Sequence, residues 1–84
     1  MLKVLVHNDD VTSMEFVAMV LESVFGKSRD EALKIVLDAH HNGRAICGVF
    51  AEARARDLAS QAMVLAQRAG QPLQFSVADA DSSD

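Results

Sequence analysis

Leu2-Lys3-Val4-Leu5-Val6-His7-Asn8-Asp9-Asp10-Val11-Thr12-Ser13-Met14-Glu15 is the stretch whose reading decides the fold. Leu2–Val6 is an apolar run of strand length, although its pattern is not a clean alternation. Thr12 to Glu15 has the spacing of a capping box, in which the Thr12 hydroxyl meets the Glu15 amide and the Glu15 carboxylate reaches back. A strand therefore gives way to a helix across Asn8-Asp9-Asp10. That triplet places several hydrogen-bond acceptors at the junction.

Working outward, the first helix is expected to run to about Phe25, with Gly26 as a left-handed cap. Ser28-Arg29-Asp30-Glu31 repeats the capping signature and opens a second helix carrying Leu33, Ile35, Val36, Leu37 and Ala39. His40, His41 and Asn42 close it, and Gly43 stops it. Arg44 to Phe50 is β-branched and apolar and reads as the central strand. Glu52 to Ala69 is alanine-rich, with strong helix propensity, and its small residues allow close approach to a sheet. Gly70 and Pro72 end it. Leu73, Phe75 and Val77 then alternate with Gln74 and Ser76 in a last strand with one dry face. Residues 1–78 form a single domain, and 79–84 read as a flexible acidic tail. The order β-α-α-β-α-β is most simply satisfied by an α+β fold: a three-stranded sheet with three helices on one face.

Composition narrows the function. Eighty-four residues, half of them hydrophobic, suffice for one small core. Eight basic against twelve acidic residues leave a net charge of −4, and Lys and Arg form no block. Nucleic acid is thus not expected as a partner, and the sign of the field suits a cationic one. The lone Cys47 sits in an apolar run and reads as a buried thiol. No signal peptide or membrane span is evident, so a soluble intracellular protein without membrane contact is expected. Metal ligation finds no recognisable spacing among His7, Asp9, Asp10, His40 and His41, and no cofactor motif is present. No nucleophile–base pattern or phosphate loop supports catalysis.

Two features remain. Between Met14 and Phe25 only Glu15, Glu22 and Ser23 are polar, which is more apolar surface than one core contact needs. The surplus implies deeper burial, a dimer contact or a hydrophobic pocket with Met14 at its lip. Asn8-Asp9-Asp10 reads either as turn and cap chemistry or as a site for an ammonium group. A peptide α-amine (pKa roughly 7.7–8.0) offers three donors to such acceptors. His40 either serves the helix C-terminus or faces the acceptors across the helix pair; the sequence leaves both open. Acceptors beside apolar surface suit a peptide N-terminus with a large hydrophobic first residue.

Val4-Leu5-Val6-His7-Asn8-Asp9-Asp10, then Thr12 and Met14-Glu15-Phe16-Val17, resemble the ClpS adaptor family. So do Ala39-His40-His41-Asn42-Gly43-Arg44-Ala45-Ile46-Cys47-Gly48-Val49-Phe50 and, near the end, Pro72-Leu73. The resemblance spans about residues 2 to 78. It implies an antiparallel three-stranded sheet under three helices, as in the C-terminal domain of the ribosomal stalk protein. It also implies a non-enzymatic adaptor in the bacterial cytoplasm, or less commonly the plastid stroma. Such an adaptor binds N-degrons beginning Leu, Phe, Tyr or Trp and delivers them to a Clp AAA+ unfoldase and its peptidase. On that resemblance Asn8, Asp10 and His40 hold the α-amino group, with Asp10 acting through water. Asp9, Thr12 and Met14 shape the mouth, and Val17, Leu21, Val36, Ala39 and Leu73 line or back the side-chain pocket. The chain departs from the family in three places. Seven residues precede Asn8 where relatives carry an extension, Ala51 stands where a Thr-containing start opens the third helix, and Ala39 replaces a common Val. An interaction module of the same fold without a pocket, and a metal-dependent hydrolase using Asp9, Asp10 and the histidines, are the competing readings.

Overall fold

The computed structural model describes residues 1–81. Six elements follow in the expected order: β1 (Leu2–His7), α1 (Met14–Ser23), α2 (Arg29–Asn42), β2 (Arg44–Phe50), α3 (Glu52–Arg68) and β3 (Gln74–Asp79). The strands form one antiparallel sheet in the order β2-β1-β3. The helices cover one face. Val4 and Val6 of β1, Ala45 and Cys47 of β2 and Phe75 of β3 share a core with Val17, Val20 and Leu21 of α1, Val36 and Ala39 of α2, and the buried alanines of α3.

The central strand is β1, not Arg44–Phe50 as its composition suggests. Flanked on both sides, β1 is buried on both faces: Lys3 and Leu5, opposite Val4 and Val6, are only 3% and 4% exposed. That two-sided burial is the cause of its imperfect alternation. On β2, by contrast, Ile46 and Val49 are exposed, as an edge strand allows. A bulge opposite Val4 and Leu5 turns both Cys47 and Gly48 toward the core side. The Phe50 ring folds over Gly48, where a Cβ would lie 2.7 Å from its Cζ. Phe25 joins the same corner, stacked on Phe75 at 5.8 Å between ring centres. Cys47 is buried, and burial pushes its thiol up to about 12, so it stays protonated and inert.

Helix ends follow local chemistry, with one substitution of roles. Ser28 and Glu31 close the expected capping box on α2, and Gly43 caps its far end with φ +87°. On α1 the N-cap is Ser13, whose hydroxyl accepts from the Phe16 amide at 3.2 Å; the expected Thr12–Glu15 box does not form. Thr12 is engaged elsewhere, as described below. The helix stops at Ser23, earlier than expected, and Gly26 takes φ +66° in the turn beyond. Ala51 caps α3 without any side-chain bond, and exposed Glu52–Arg56 and Arg54–Asp57 pairs follow in its first turns. Ala55, Ala59, Ala62 and Ala66 of α3 face the sheet, all at most 8% exposed. The last strand runs through Ala78, paired with Lys3, to Asp79, paired with Leu2. The expected tail begins inside this strand, and its residues 82–84 lie outside the described residues.

Candidate functional site

Where β1 ends, its chain is tied to the far end of α2. The Asn8 amide donates to the Gly43 carbonyl at 2.9 Å, and the Gly43 amide returns to Ala39 at 2.8 Å. Gly43 can take part in both bonds because its positive φ turns the backbone back on itself. The bond draws Asn8 to the helix end that carries His40. A hollow of about 310 Å³, counted out to its open mouth, lies at this junction.

Asn8, Asp9, Thr12 and His40 give the hollow its polar rim. Its apolar walls come from Val6, Val17, Val36, Ala39 and Leu73, one or more from each side of the helix–sheet sandwich, with Met14 at the opening. Met14 is 45% exposed, whereas Val17, Val36, Ala39 and Leu73 are buried. The surplus apolar surface of α1 thus faces this hollow through Met14 and Val17, while Val20 and Leu21 are sunk in the core.

Two expected positions do not reach the lining. Leu21 is fully buried in the core, and Asp10 is exposed; both are outside the lining set. Two unforeseen residues do line it, Val6 and His7. Val6 was foreseeable, being the last core-facing residue of β1 before the loop. His7 bonds through Nε2 to the Ser76 hydroxyl at 2.7 Å across to β3, a pairing that needs the strand order to be known.

Asp9 is the most heavily bonded side chain of the rim. Its Oδ1 accepts from the Val11 amide at 2.9 Å and the Thr12 amide at 2.7 Å, and its Oδ2 accepts from the Thr12 hydroxyl at 2.8 Å. Partial burial pushes this carboxyl up, but the bonds from Thr12 and Val11 outweigh it and hold the pKa below the ordinary 3.8. Asp9 is therefore ionised throughout the physiological range. Among the described residues no three His, Cys, Asp or Glu side chains gather as a metal site, and no helix is long and apolar enough to cross a membrane.

The geometry can be set beside known proteins. Residues 1–76 match the family described as ATP-dependent Clp protease adaptor protein ClpS. An adapter protein ClpS of Gluconobacter oxydans is 49% identical over 77 residues, 92% of this chain and 65% of that protein. Its counterpart in Paraburkholderia phymatum is 43% identical over 88% of this chain and 71% of its own length. The chain thus spans about two thirds of the length of these relatives. Among solved structures, Agrobacterium tumefaciens ClpS2 bound to L-phenylalaninamide superposes with a TM-score of 0.89 at 38% identity, covering 92% of this chain and 93% of that one. With fold and most of its length in agreement, this chain belongs to the ClpS family of Clp protease adaptors.

Proposed function

We propose that the hollow receives the N-terminus of a protein substrate, with its free α-amino group at the Asn8–His40 rim and its first side chain, Leu, Phe, Tyr or Trp, in the aliphatic well. The chain then acts as a non-enzymatic adaptor in the bacterial cytoplasm, presenting such N-degrons to a Clp AAA+ unfoldase and its peptidase. The observation that carries this reading is the continuity of one polar rim with one aliphatic wall in a single open hollow. Agrobacterium ClpS2, of the same fold, was solved with L-phenylalaninamide, a molecule that combines a free α-amine with a large apolar side chain.

The energetics require both halves. Burying a Leu or Phe side chain contributes roughly 1.5–3 kcal/mol. Each hydrogen bond to the charged amine contributes about 1.5–3 kcal/mol. Lost translational freedom opposes them, which leaves a net on the order of −8 kcal/mol, or micromolar affinity. Neither half reaches that alone. Asn8 and His40 accept from the ammonium, and the exposed Asp10 adds negative charge through water. Val17, Val36, Ala39 and Leu73 supply the apolar contact, backed by Leu21, while Met14 screens the opening.

The test is a titration with a Phe-initiated peptide and its N-acetylated twin. Acetylation removes the charge and two donors, and is expected to abolish measurable binding. Equal affinity for the two peptides would remove the ammonium from the mechanism. The hollow also weighs against the reading as a pocketless interaction module of the same fold.

A further inference from the structure

We propose that Asp9 is a positioning residue of this site, acting through Thr12 to hold the mouth open in one shape, and does not itself serve as the counter-ion of the bound amine. The inference rests on the reading of the hollow as a peptide N-terminus site. It gives a physical means to the mouth-shaping expected of Asp9, a three-bond clamp within the loop, and separates it from the amine binding expected of Asp10.

The loop from Asn8 to Ser13 has to turn the chain from strand to helix within a few residues, and it borders the hollow on one side. Asn8, Asp9, Thr12 and Met14, all from this loop or the residue that follows it, line the hollow. Their relative placement therefore depends on the loop holding one conformation. Asp9 provides that constraint with both oxygens: two backbone amides converge on Oδ1, and one hydroxyl on Oδ2. A carboxylate has about four acceptor positions. Three are filled from within the loop, leaving at most one for a ligand.

The clamp also explains why the Thr12–Glu15 capping box fails. The Thr12 side chain is turned back toward Asp9, to which its hydroxyl donates, and not toward the Glu15 amide from which a cap would accept; the cap is Ser13. At the other side of the mouth the Asn8 amide is fastened to Gly43 at the end of α2. The rim is thus anchored at both ends before any ligand arrives. Such preorganisation reduces the ordering cost that binding would otherwise carry. Asp10, by contrast, is exposed and has no hydrogen bond to the described residues.

Clamp and counter-ion make opposite demands, and Asp9→Asn separates them. An Asn side chain keeps the acceptor for the Val11 and Thr12 amides, and its NH₂ can donate to the Thr12 oxygen; only the charge is lost. The expected result is that Asp9→Ala weakens binding of a Phe-initiated peptide roughly tenfold or more, while Asp9→Asn restores it to within about threefold of wild type. The salt dependence of binding should be the same in Asp9→Asn as in wild type, since no charge at the ligand has been removed. Loss in Asp9→Asn equal to that in Asp9→Ala, with a flattened salt dependence, would overturn the proposal and make Asp9 a counter-ion. Wild-type affinity in Asp9→Ala would overturn it too.

Amide hydrogen exchange in the free protein gives a second readout that needs no ligand. Val11 and Thr12 amides should be protected in wild type and in Asp9→Asn and fast in Asp9→Ala, with the β1 amides unchanged in all three. Unprotected Val11 and Thr12 in wild type would overturn the clamp. Acetylated and free peptides binding wild type alike would instead overturn the parent reading, and the exchange comparison would still decide whether Asp9 fixes the loop.

Discussion

The starts of α1 and α2 carry the same four-residue signature and fold differently. At α2, Ser28 and Glu31 satisfy each other: the Ser28 amide donates to Glu31 Oε1 at 3.0 Å, and the Glu31 amide donates to the Ser28 hydroxyl at 3.2 Å. At α1, Thr12 and Glu15 stand at the same spacing, but the hydroxyl is diverted to Asp9 and Ser13 becomes the cap. The first is a local rule obeyed on an exposed surface. The second is the same rule overridden beside the hollow. Departures from local preference concentrate where a structure does something besides fold, and this pair isolates the effect within one chain.

The largest expected effect breaks the pair by function. Asn8→Ala, at the α1 start, should lower affinity for a Phe-initiated peptide roughly ten- to a hundredfold, the loss of one hydrogen bond to a charged group. Its unfolding midpoint should move little, because the bond from Asn8 to Gly43 is made by the backbone amide and survives. Ser28→Ala should do the reverse. Loss of the cap costs about 1 kcal/mol of stability, a fall of roughly 4–8 °C in Tm for a domain of this size. Affinity should be unchanged. Calorimetric titration and thermal melts of the two variants check both halves, and a loss of affinity in Ser28→Ala would mean that the α2 start also shapes the site.

A smaller effect sharpens the pair by structure. With Ser13 as the α1 cap, Ser13→Ala should cost about 0.5–1 kcal/mol, the lower part of the range for caps. Thr12→Val should leave the cap intact and lose one of the three bonds to Asp9. Its expected signature is faster exchange of the loop amides with little change in the urea midpoint. If Thr12→Val is the more destabilising of the two, the sequence motif was right and the helix begins one residue earlier.

Much of the fold was legible because short-range chemistry decides it. Ser28, Glu31 and Gly43 bracket α2 with the residues that satisfy its free amides and carbonyls, and Gly70 and Pro72 separate α3 from the last strand. Strand order was not legible. Period two reports which faces of a strand are buried, not which strands lie beside it, and the β-branched run of β2 looked more central than the run holding Lys3. The clue was the broken alternation of Leu2–Val6, which reflects burial on both faces. At the site, Asn8 and His40 were nameable from motif positions, but the Asn8–Gly43 bond and the shared core that bring their elements together were not. The place of His7 in the lining was not legible, because its partner, Ser76, is a neighbour only across the sheet. The unequal surroundings of Asp9 and Asp10 were also hidden, since adjacent identical residues differ only in where the turn sends their side chains.

Acid makes the smallest change and tests both helix starts at once. Burial pushes Asp9 up and the Thr12 and Val11 bonds pull it lower, for a net fall; at Glu31 the amide and hydroxyl of Ser28 are the principal cause of the fall. A carboxyl with a depressed pKa in the folded state contributes stability that is full above its unfolded value and is lost as pH drops through the folded one. Both contributions should therefore be complete above the ordinary values of 3.8 and 4.5, constant at neutral pH, and lost only below them. In wild type, protection of the Val11 and Thr12 amides and of the Ser28 amide should fall together on acidification. In Asp9→Asn the first pair should become insensitive to acid while Ser28 still responds, because the amide that replaces the carboxylate does not titrate. Loop amides that loosen in acid even in Asp9→Asn would mean that the α1 entry is held by something other than Asp9, and the contrast between the two helix starts would lose its chemical basis.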